Sequence, residues 1–509
     1  MHLRRSPIPI GTAIVAAALT ACASRPNLDR YEDRVDFASE VLVKIAARRD
    51  RAPHDNPTVD SISSDLIAEF LTADEPIARH HALVRMLDQI EDGHLSLTPL
   101  DERVKNMMPP CEFGRFDGRL WIQIDERDRL EEPAVKERVT TNAAAVADLA
   151  ADTRAERGVR DEERVGKFGY ELLAIDGYAP KTVEATHDLL CGRLGSTVDV
   201  RVRVAGTDEV RELTLLRAGR GYMASHALER SPPEGLTVLA RHPFASDGCY
   251  AGIFAHDASI GFVRLSSSTP GIVPKDGDAS CHLRHEPCDQ LDAMLGLFRA
   301  VRDCDTLILD LQGSNGGTCS HAGAIAAAIM PLSIDPLPFH HLDESDRVKR
   351  LGTGGWKWKR DPILKPDVRF VVLIDEGCVS ASEHLPGVLR AVPGTMLVGA
   401  RTSGVEFSTV TIMAEGAYRI VFGGNPGIWT GLDLVEGRGI PPTHPTAYDE
   451  SILYREGIAA CVQDHRARTL TEALRLIEEE RTKATRKLKR DAASQPATLV
   501  AERDLSSAG

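Results

Sequence analysis

The feature that most constrains the fold is a series of short apolar runs that alternate with helical patterns downstream of residue 260. The clearest runs are residues 261–265, 306–311 and 370–375. Short, nearly continuous apolar runs of this kind are typical of strands buried on both faces in an α/β protein. The sequence therefore predicts an α/β core, which we assign to residues 240–448.

The rest of the 509-residue chain is organised differently. Apolar residues recur at helical spacing from residue 31 to about residue 100, and a charged amphipathic pattern recurs around residues 470–489. A chain of this length is expected to form roughly three domains of ~150 residues. The predicted segments are a signal peptide at 1–21, a helical domain at 29–100, a linker or insertion at 101–165, a strand and helix module at 166–220, the core at 240–448, a helical segment at 449–490 and a disordered tail at 491–509.

The N-terminus has the pattern of an export signal. His2, Arg4 and Arg5 precede an apolar stretch at residues 8–19, which is too short to span a bilayer as a permanent helix. The following Leu19-Thr20-Ala21-Cys22 resembles the lipobox of bacterial lipoproteins, which implies lipidation of Cys22. We therefore expect a lipid-anchored protein of the cell envelope, at the outer membrane facing the periplasm; an ordinary secretory signal is the alternative.

Charge and cysteine content limit the partners and cofactors. The formal charge of −14 argues against nucleic acid. Nine cysteines follow Cys22, so at least one of them is unpaired, and Cys281 with Cys288 is the favoured local pair. A zinc site at Cys281, His282, His285 and Cys288 is the alternative, although this polar segment has the pattern of a loop insertion. We expect no metal and no organic cofactor.

A serine cluster follows the third apolar run. Residues 374–384 lead from a buried strand through Gly377 to a predicted helix start that contains Ser380 and Ser382. Backbone N–H groups and the dipole at a helix N-terminus stabilise an alkoxide or an oxyanion. The alternative is a simple helix cap with a carboxylate in the first turn.

Two further segments have residues suited to the same chemistry. Residues 309–317 run from a strand into a glycine-rich turn, where backbone N–H groups can approach a ligand closely. No Lys-Ser/Thr follows these glycines, so a phosphate-binding loop is not favoured. His94 directly follows a turn glycine at the end of the helical segment.

Together these motifs resemble the tail-specific (C-terminal processing) serine peptidases and their tricorn relatives, over residues 83–444. The matching residues are Asp92-Gly93-His94, the loop at 310–317, Ser380-Ala381-Ser382-Glu383 and the segment at 435–442. The resemblance implies a multidomain α/β fold with an N-terminal helical domain, a PDZ-like insert at 166–220 and a crotonase-like catalytic core. A small α/β insert without a role in peptide binding is the alternative for residues 166–220.

One departure from the family pattern decides which mechanism the resemblance implies. Many members have a catalytic lysine about 25 residues after the serine, where this chain has Gly404-Val405-Glu406, and no lysine lies between Lys365 and Lys483. A serine hydroxyl needs a base. The tricorn-like branch uses a histidine and a glutamate. The catalytic residues implied here are Ser380 as nucleophile, His94 as base and Glu436 as orienting carboxylate, with oxyanion N–H groups from Ala381 and from Gly316 or Gly317.

Gln312 and Thr443 depart from the family pattern without removing a proposed catalytic group. The expected function is that of an extracytoplasmic serine endopeptidase that cuts unfolded or C-terminal protein segments through an acyl-enzyme on Ser380. The alternative is a catalytically inactive protein on the same scaffold that binds a peptide or an apolar ligand. A third hypothesis, an envelope structural protein without a site, has no positive support in the sequence.

Overall fold

The structure of the protein is a computed structural model. It describes residues 27–49, 61–92, 95–99, 108–109, 111–116, 118–125, 167–193, 195–217, 222–223, 231–243, 245, 248–267, 289–317, 319–331, 339–342, 348–350, 362–405, 409–414, 418–423, 427–429 and 438–494. Residues 126–165 of the predicted linker or insertion, and the disulfide or zinc candidates at 281–288, lie outside these ranges.

The helices of the described residues are α1 (Tyr31–Arg49), α2 (Ser64–Thr72), α3 (Pro76–Asp88), α4 (Val183–Leu190), α5 (Asp289–Ala300), α6 (Cys319–Ile329), α7 (His384–Leu389), α8 (Glu450–Glu456) and α9 (Ile458–Ser494). A 3₁₀-helix, Ser380–Glu383, directly precedes α7. The strands are β1 (Ser96–Pro99), β2 (Cys111–Phe116), β3 (Arg119–Asp125), β4 (Lys167–Ile175), β5 (Thr197–Val204), β6 (Val210–Leu216), β7 (Tyr222–Met223), β8 (Leu236–Arg241), β9 (Cys249–Phe254), β10 (Asp257–Leu265), β11 (Thr306–Asp310), β12 (Phe339–Leu342), β13 (Val348–Arg350), β14 (Arg369–Ile374), β15 (Met396–Gly399), β16 (Thr409–Ala414), β17 (Tyr418–Gly423), β18 (Gly427–Trp429) and β19 (His444–Pro445).

The central element is a seven-stranded sheet with the order β19-β15-β14-β11-β10-β9-β8. Strands β10, β11, β14, β15 and β19 pair in parallel, whereas β8 and β9 pair antiparallel at one edge. Val263, Leu309 and Val372 are aligned across three neighbouring strands. The three apolar runs of the sequence are therefore adjacent parallel strands in one sheet of a mixed α/β fold.

Both faces of this sheet are buried. Phe370, Val372 and Ile374 of β14 belong to a core cluster that includes residues of α5, α6 and α7. The alternate residues Val371 and Leu373 belong to a second cluster, to which α9 contributes Ala473, Leu476 and Ile477. Because successive side chains of a strand point to opposite faces, burial of both faces requires an uninterrupted apolar run. This requirement explains the apolar pattern of β14.

A second, six-stranded sheet has the order β6-β5-β4-β3-β2-β7. It includes β4, β5 and β6 from the segment predicted to be PDZ-like, together with the β2–β3 hairpin at residues 111–125. The hairpin joins the sheet through pairing of β3 with β4, for example Ile122 with Tyr170. The sheet therefore extends beyond residues 166–220, because part of the upstream segment supplies two of its strands.

Helix α4 connects the six-stranded sheet to the N-terminal helices. Thr182 caps α4 by accepting a hydrogen bond from the Ala185 N–H. The Thr182 hydroxyl also donates to the buried carboxylate of Asp88 at the end of α3, over 2.8 Å. Asp88 accepts a second bond from the Tyr178 hydroxyl at 3.0 Å. This carboxylate therefore fixes the end of α3, four residues before the Asp92-Gly93-His94 motif.

The last helix, α9, extends from Ile458 to Ser494 and is much longer than the amphipathic pattern at residues 470–489. In the part of the chain that the structure describes, no helix is both long enough and apolar enough to cross a bilayer. Cys191, Cys304 and Cys461 are buried free thiols. Burial raises the pKa of Cys191 and Cys461 to about 12, so these thiols remain protonated near neutral pH.

Candidate active site

The structure describes four of the predicted site residues: Ser380, Ala381, Gly316 and Gly317. It brings the loops that carry them together at the ends of β14 and β11, which are neighbouring parallel strands. His94, Glu436 and the lipidation candidate Cys22 lie outside the described residues. Their roles remain predictions.

Ser380 has an unusual backbone conformation. Its φ is +53°, in the left-handed region that residues with a side chain rarely adopt. Such a conformation costs on the order of 1–3 kcal/mol and persists only where the surrounding structure imposes it. The Ser380 N–H donates to the carbonyl of Val405, and the side chain is partly exposed. The serine is therefore strained and accessible, as a nucleophile at a sharp turn between strand and helix must be.

The glycine-rich loop after β11 packs directly against this serine. Gly313, Gly316 and Gly317 all have positive φ values, of +60°, +83° and +134°. A Cβ atom at Gly316 would lie 2.8 Å from the Cβ of Ser380 and 3.1 Å from the carbonyl oxygen of Val379. Only glycine fits this approach, so the loop backbone lies next to the reactive hydroxyl.

Hydrogen bonds hold the two loops together. The Val379 N–H donates to the Ser314 carbonyl at 3.0 Å. The Ser314 and Ser382 hydroxyls are 2.6 Å apart and both are buried, and the Ser382 hydroxyl also donates to the Gly316 carbonyl at 3.4 Å. Ser382 therefore contacts the glycine loop through its side chain, although it lies in the first helical turn.

The cap interpretation of the serine cluster does not describe Ser380. Val379 is the N-cap residue of the 3₁₀-helix, and no side chain caps this helix. Ala381 lies in the first turn, where backbone N–H groups have no partner within their own helix. The Ala381 N–H is therefore not required by its own helix, and its role as an oxyanion donor stays a prediction.

Glu383 fixes the segment that faces Ser380. Its fully buried carboxylate accepts hydrogen bonds from the Thr402 hydroxyl at 2.5 Å and from the N–H groups of Gly404 and Val405, both at 2.9 Å. Burial is the main reason why the pKa of Glu383 rises to about 7. Val405 thus accepts the Ser380 N–H and donates its own N–H to Glu383.

Thr402 also connects this network to the downstream motif. Its hydroxyl accepts the Ile440 N–H at 2.6 Å, and its own N–H donates to the Ile440 carbonyl at 3.1 Å. Gly439 packs so closely that a Cβ there would lie 2.0 Å from the Thr402 carbonyl oxygen. The described end of the motif that contains Glu436 therefore lies beside the residues that position Ser380.

Two other groups near the serine can be assigned from their surroundings. His384 follows the nucleophile motif, and burial lowers its pKa to about 4, so its imidazole is neutral near pH 7. Arg264 of β10 is ion-paired with Asp310 at the end of β11 and donates to the Gln312 carbonyl at 2.8 Å. A guanidinium from another strand therefore supports the loop at Gln312.

Sequence reasoning missed the roles of Glu383, Thr402 and Ser314. The Ser-x-Ser-Glu pattern predicts roles for the two serines and indicates only a first-turn carboxylate for Glu383. No local signal pairs Glu383 with Thr402, which lies 19 residues downstream.

In the described residues, no group of three or more His, Cys, Asp or Glu side chains is arranged to hold a metal ion.

Part of this chain is similar to a known peptidase family. Residues 259–419 match the model of peptidase family S41, and this segment contains Ser380, Ala381 and both candidate oxyanion glycines. The match covers about a third of the chain, and the prediction of a serine peptidase is confirmed. No curated protein matches the chain in sequence.

Solved structures with a similar arrangement include peptidases. The photosystem II D1 C-terminal processing protease is 16% identical over 87% of this chain and 97% of its own, with a TM-score of 0.40. Mature CPAF is 14% identical over 81% and 92%, with a TM-score of 0.44. The tricorn protease is 14% identical over 87% and 37%, with a TM-score of 0.33. The serine peptidase assignment therefore rests on the family match.

Proposed function

We propose that the protein is an exported serine endopeptidase, lipid-anchored through Cys22, that forms an acyl-enzyme on Ser380. The observation that carries this proposal is the contact between a strained, partly exposed serine and a glycine loop that leaves room for no side chain. Such a contact presents a hydroxyl nucleophile next to backbone N–H groups. Acyl transfer requires both.

In the proposed reaction the Ser380 hydroxyl attacks the peptide carbonyl while His94 accepts its proton. The tetrahedral intermediate carries an oxyanion, which the N–H groups of Ala381 and of Gly316 or Gly317 stabilise, each by about 3 kcal/mol. His94 then donates the proton to the leaving amine, and Glu436 orients its imidazole. Water, activated by His94, hydrolyses the acyl-enzyme and releases Ser380.

The assignment of the base to His94 is supported by the residue at the family lysine position. Val405 has no ionisable group, and its backbone is already bonded to Ser380 and Glu383. His94 is flanked by the buried residues Asp92 and Leu95, so the chain on either side of it is packed into the protein. A histidine at this position can serve as a base at neutral pH without a lysine.

Unfolded or C-terminal segments of envelope proteins are the proposed substrates. The six-stranded sheet with α4 supplies the PDZ-like element, in which a peptide adds as a strand at a sheet edge. The link between α3 and α4 through Asp88 connects this element to the segment that contains His94. The proposal includes neither a nucleic-acid partner nor a metal.

The test is hydrolysis of casein by the chain lacking residues 1–22, with a fluorophosphonate probe to label active serines. Wild type should cut and label, also in the presence of EDTA. Ser380→Ala should do neither, and His94→Ala and Glu436→Gln should cut slowly while remaining folded. A folded wild type that neither cuts nor labels would refute the proposal and favour the binding protein, which equilibrium binding of peptides would then detect.

A further inference from the structure

Asp375 is a fully buried carboxylate located between the two loops of the site. It directly follows β14, and its Oδ1 atom accepts the Gly313 N–H at 2.6 Å and the Gly377 N–H at 2.9 Å. Gly313 lies three residues before Gly316, and Gly377 lies three residues before Ser380. One oxygen atom therefore holds the start of the oxyanion loop and the start of the nucleophile turn.

A counter-charge for this carboxylate comes from the C-terminal helix. The Nε and Nη2 groups of Arg466 in α9 donate to the Asp375 Oδ2 atom at 3.1 and 3.0 Å. The side-chain exposure is 0% for Asp375 and 11% for Arg466, so water screens this pair little. Removal of one member of a buried pair leaves the charge of the other without its bonded partner, which is strongly destabilising.

Arg466 is not alone in attaching this helix to the sheet. Farther along α9, Ala473, Leu476 and Ile477 pack against Val371 and Leu373 of β14. This apolar contact is expected to hold α9 on the sheet when Arg466 is replaced. The function of Arg466 can therefore be tested separately from the docking of its helix.

We propose that Arg466 is a positioning residue of the active site, which acts through Asp375 on the spacing between the oxyanion loop and Ser380. The inference rests on the proposed serine peptidase function and extends its machinery beyond residues 259–419, the segment that matches the family. Without the guanidinium, the buried carboxylate must find another partner or reach water. Either change moves the Gly313 and Gly377 amides that it holds.

The test compares Arg466→Met with Arg475→Met in the chain lacking residues 1–22. Arg475 lies on the same helix but is half exposed, paired with Glu472 and Glu479. The measured quantities are KM and kcat per serine labelled by fluorophosphonate, so that unfolded molecules do not count. Arg466→Met should lose about 100-fold in kcat per labelled serine with little change in KM, because a shift of about 1 Å has this effect. Arg475→Met should equal wild type.

A double variant tests whether Arg466 acts through Asp375. In Asp375→Asn/Arg466→Met the buried charge is gone, while the amide oxygen can still accept from Gly313 and Gly377. The kcat per labelled serine of this double variant should be at least ten-fold higher than that of Arg466→Met. If Arg466→Met does not fold, Arg466→Lys provides a second variant, because lysine keeps the charge but cannot donate from two nitrogen atoms. This variant should fold and should lose about 10-fold in kcat per labelled serine.

Hydrogen exchange at the Gly313 and Gly377 amides gives a readout that does not require activity. Both amides should exchange faster in Arg466→Met than in Arg475→Met. Equal kcat per labelled serine and equal exchange in these two variants would overturn the inference. If wild type neither cuts nor labels, the proposed function fails, and the exchange measurement alone then decides the role of Arg466.

Discussion

The contact between the glycine loop and the serine gives the sharpest prediction. Two carbon atoms in van der Waals contact lie about 3.5 Å apart or farther. An alanine Cβ at position 316 would lie 2.8 Å from the Ser380 Cβ, so one loop must move by about 0.7 Å. A displacement of this size at a reacting group costs on the order of 100-fold in rate. We therefore expect Gly316→Ala to reduce kcat per labelled serine about 100-fold.

Gly394 provides a matched control for backbone strain. Its φ of +81° nearly equals the +83° of Gly316, but a Cβ there meets nothing within 4 Å. Alanine in the left-handed region costs about 1–2 kcal/mol, so both variants should lose at least this free energy of unfolding in urea, and Gly316→Ala should lose the cost of the displaced loop in addition. Only Gly316→Ala should lose activity in the casein assay. Equal kcat per labelled serine in the two variants would show that the loop does not position Ser380.

Three further predictions follow from the buried polar groups. The pKa of Glu383 is raised from its ordinary 4.5 to about 7, so the free energy of unfolding should fall by about 3 kcal/mol as the pH rises through that interval. Urea titrations at pH 4.5 to 8 should show this slope in wild type and not in Glu383→Gln. Ser382→Ala leaves the Ser314 hydroxyl buried without its hydrogen bond and should lower the free energy of unfolding by about 1–3 kcal/mol. The double variant Ser314→Ala/Ser382→Ala should be only slightly less stable than Ser382→Ala. Additive losses in this double-mutant cycle would contradict the pairing. Burial raises the pKa of Cys191 and Cys461 to about 12, so Ellman's reagent at pH 8 should modify them only after unfolding, and rapid reaction of the native protein would contradict their burial.

The layout of the α/β core could be predicted because its signals are local. Strands β10, β11 and β14 contain nearly continuous apolar runs, since helices cover both faces of their sheet. Each glycine or serine motif directly follows its strand in the sequence. Because β11 and β14 are parallel neighbours, the loops that follow them lie at the same edge. The proximity of Gly316 to Ser380 therefore follows from the order of the motifs.

The six-stranded sheet could not be delimited in the same way. Its β2–β3 hairpin pairs with β4, which begins 42 residues after β3 ends, and the sequence between them has no strand pattern. The pairing depends on a long-range register that no local periodicity encodes. The sequence therefore predicts only a linker or insertion at residues 101–165, where the structure has β2 and β3.

The partners of the buried charges near the site could not be predicted from the sequence either. A buried carboxylate needs a partner, but that partner is often distant in the sequence and comes close only in the folded protein. Glu383 pairs with Thr402 across 19 residues, and Asp375 pairs with Arg466 across 91. In the sequence, Arg466 is one of many charged residues on an amphipathic helix. Only the docking of α9 against β14 distinguishes it from the exposed arginines nearby.

These buried pairs explain how the strain at Ser380 is maintained. A left-handed serine would relax to an ordinary turn if its neighbours could follow, since the conformation costs on the order of 1–3 kcal/mol. Relaxation is opposed on one side by Asp375, through Gly377, and on the other by Glu383, through Val405. Both carboxylates are buried, so abandoning either set of bonds would cost more than the strain relieved. The nucleophile motif therefore depends on partners from three distant parts of the chain, and its four residues alone do not fix the geometry of the site.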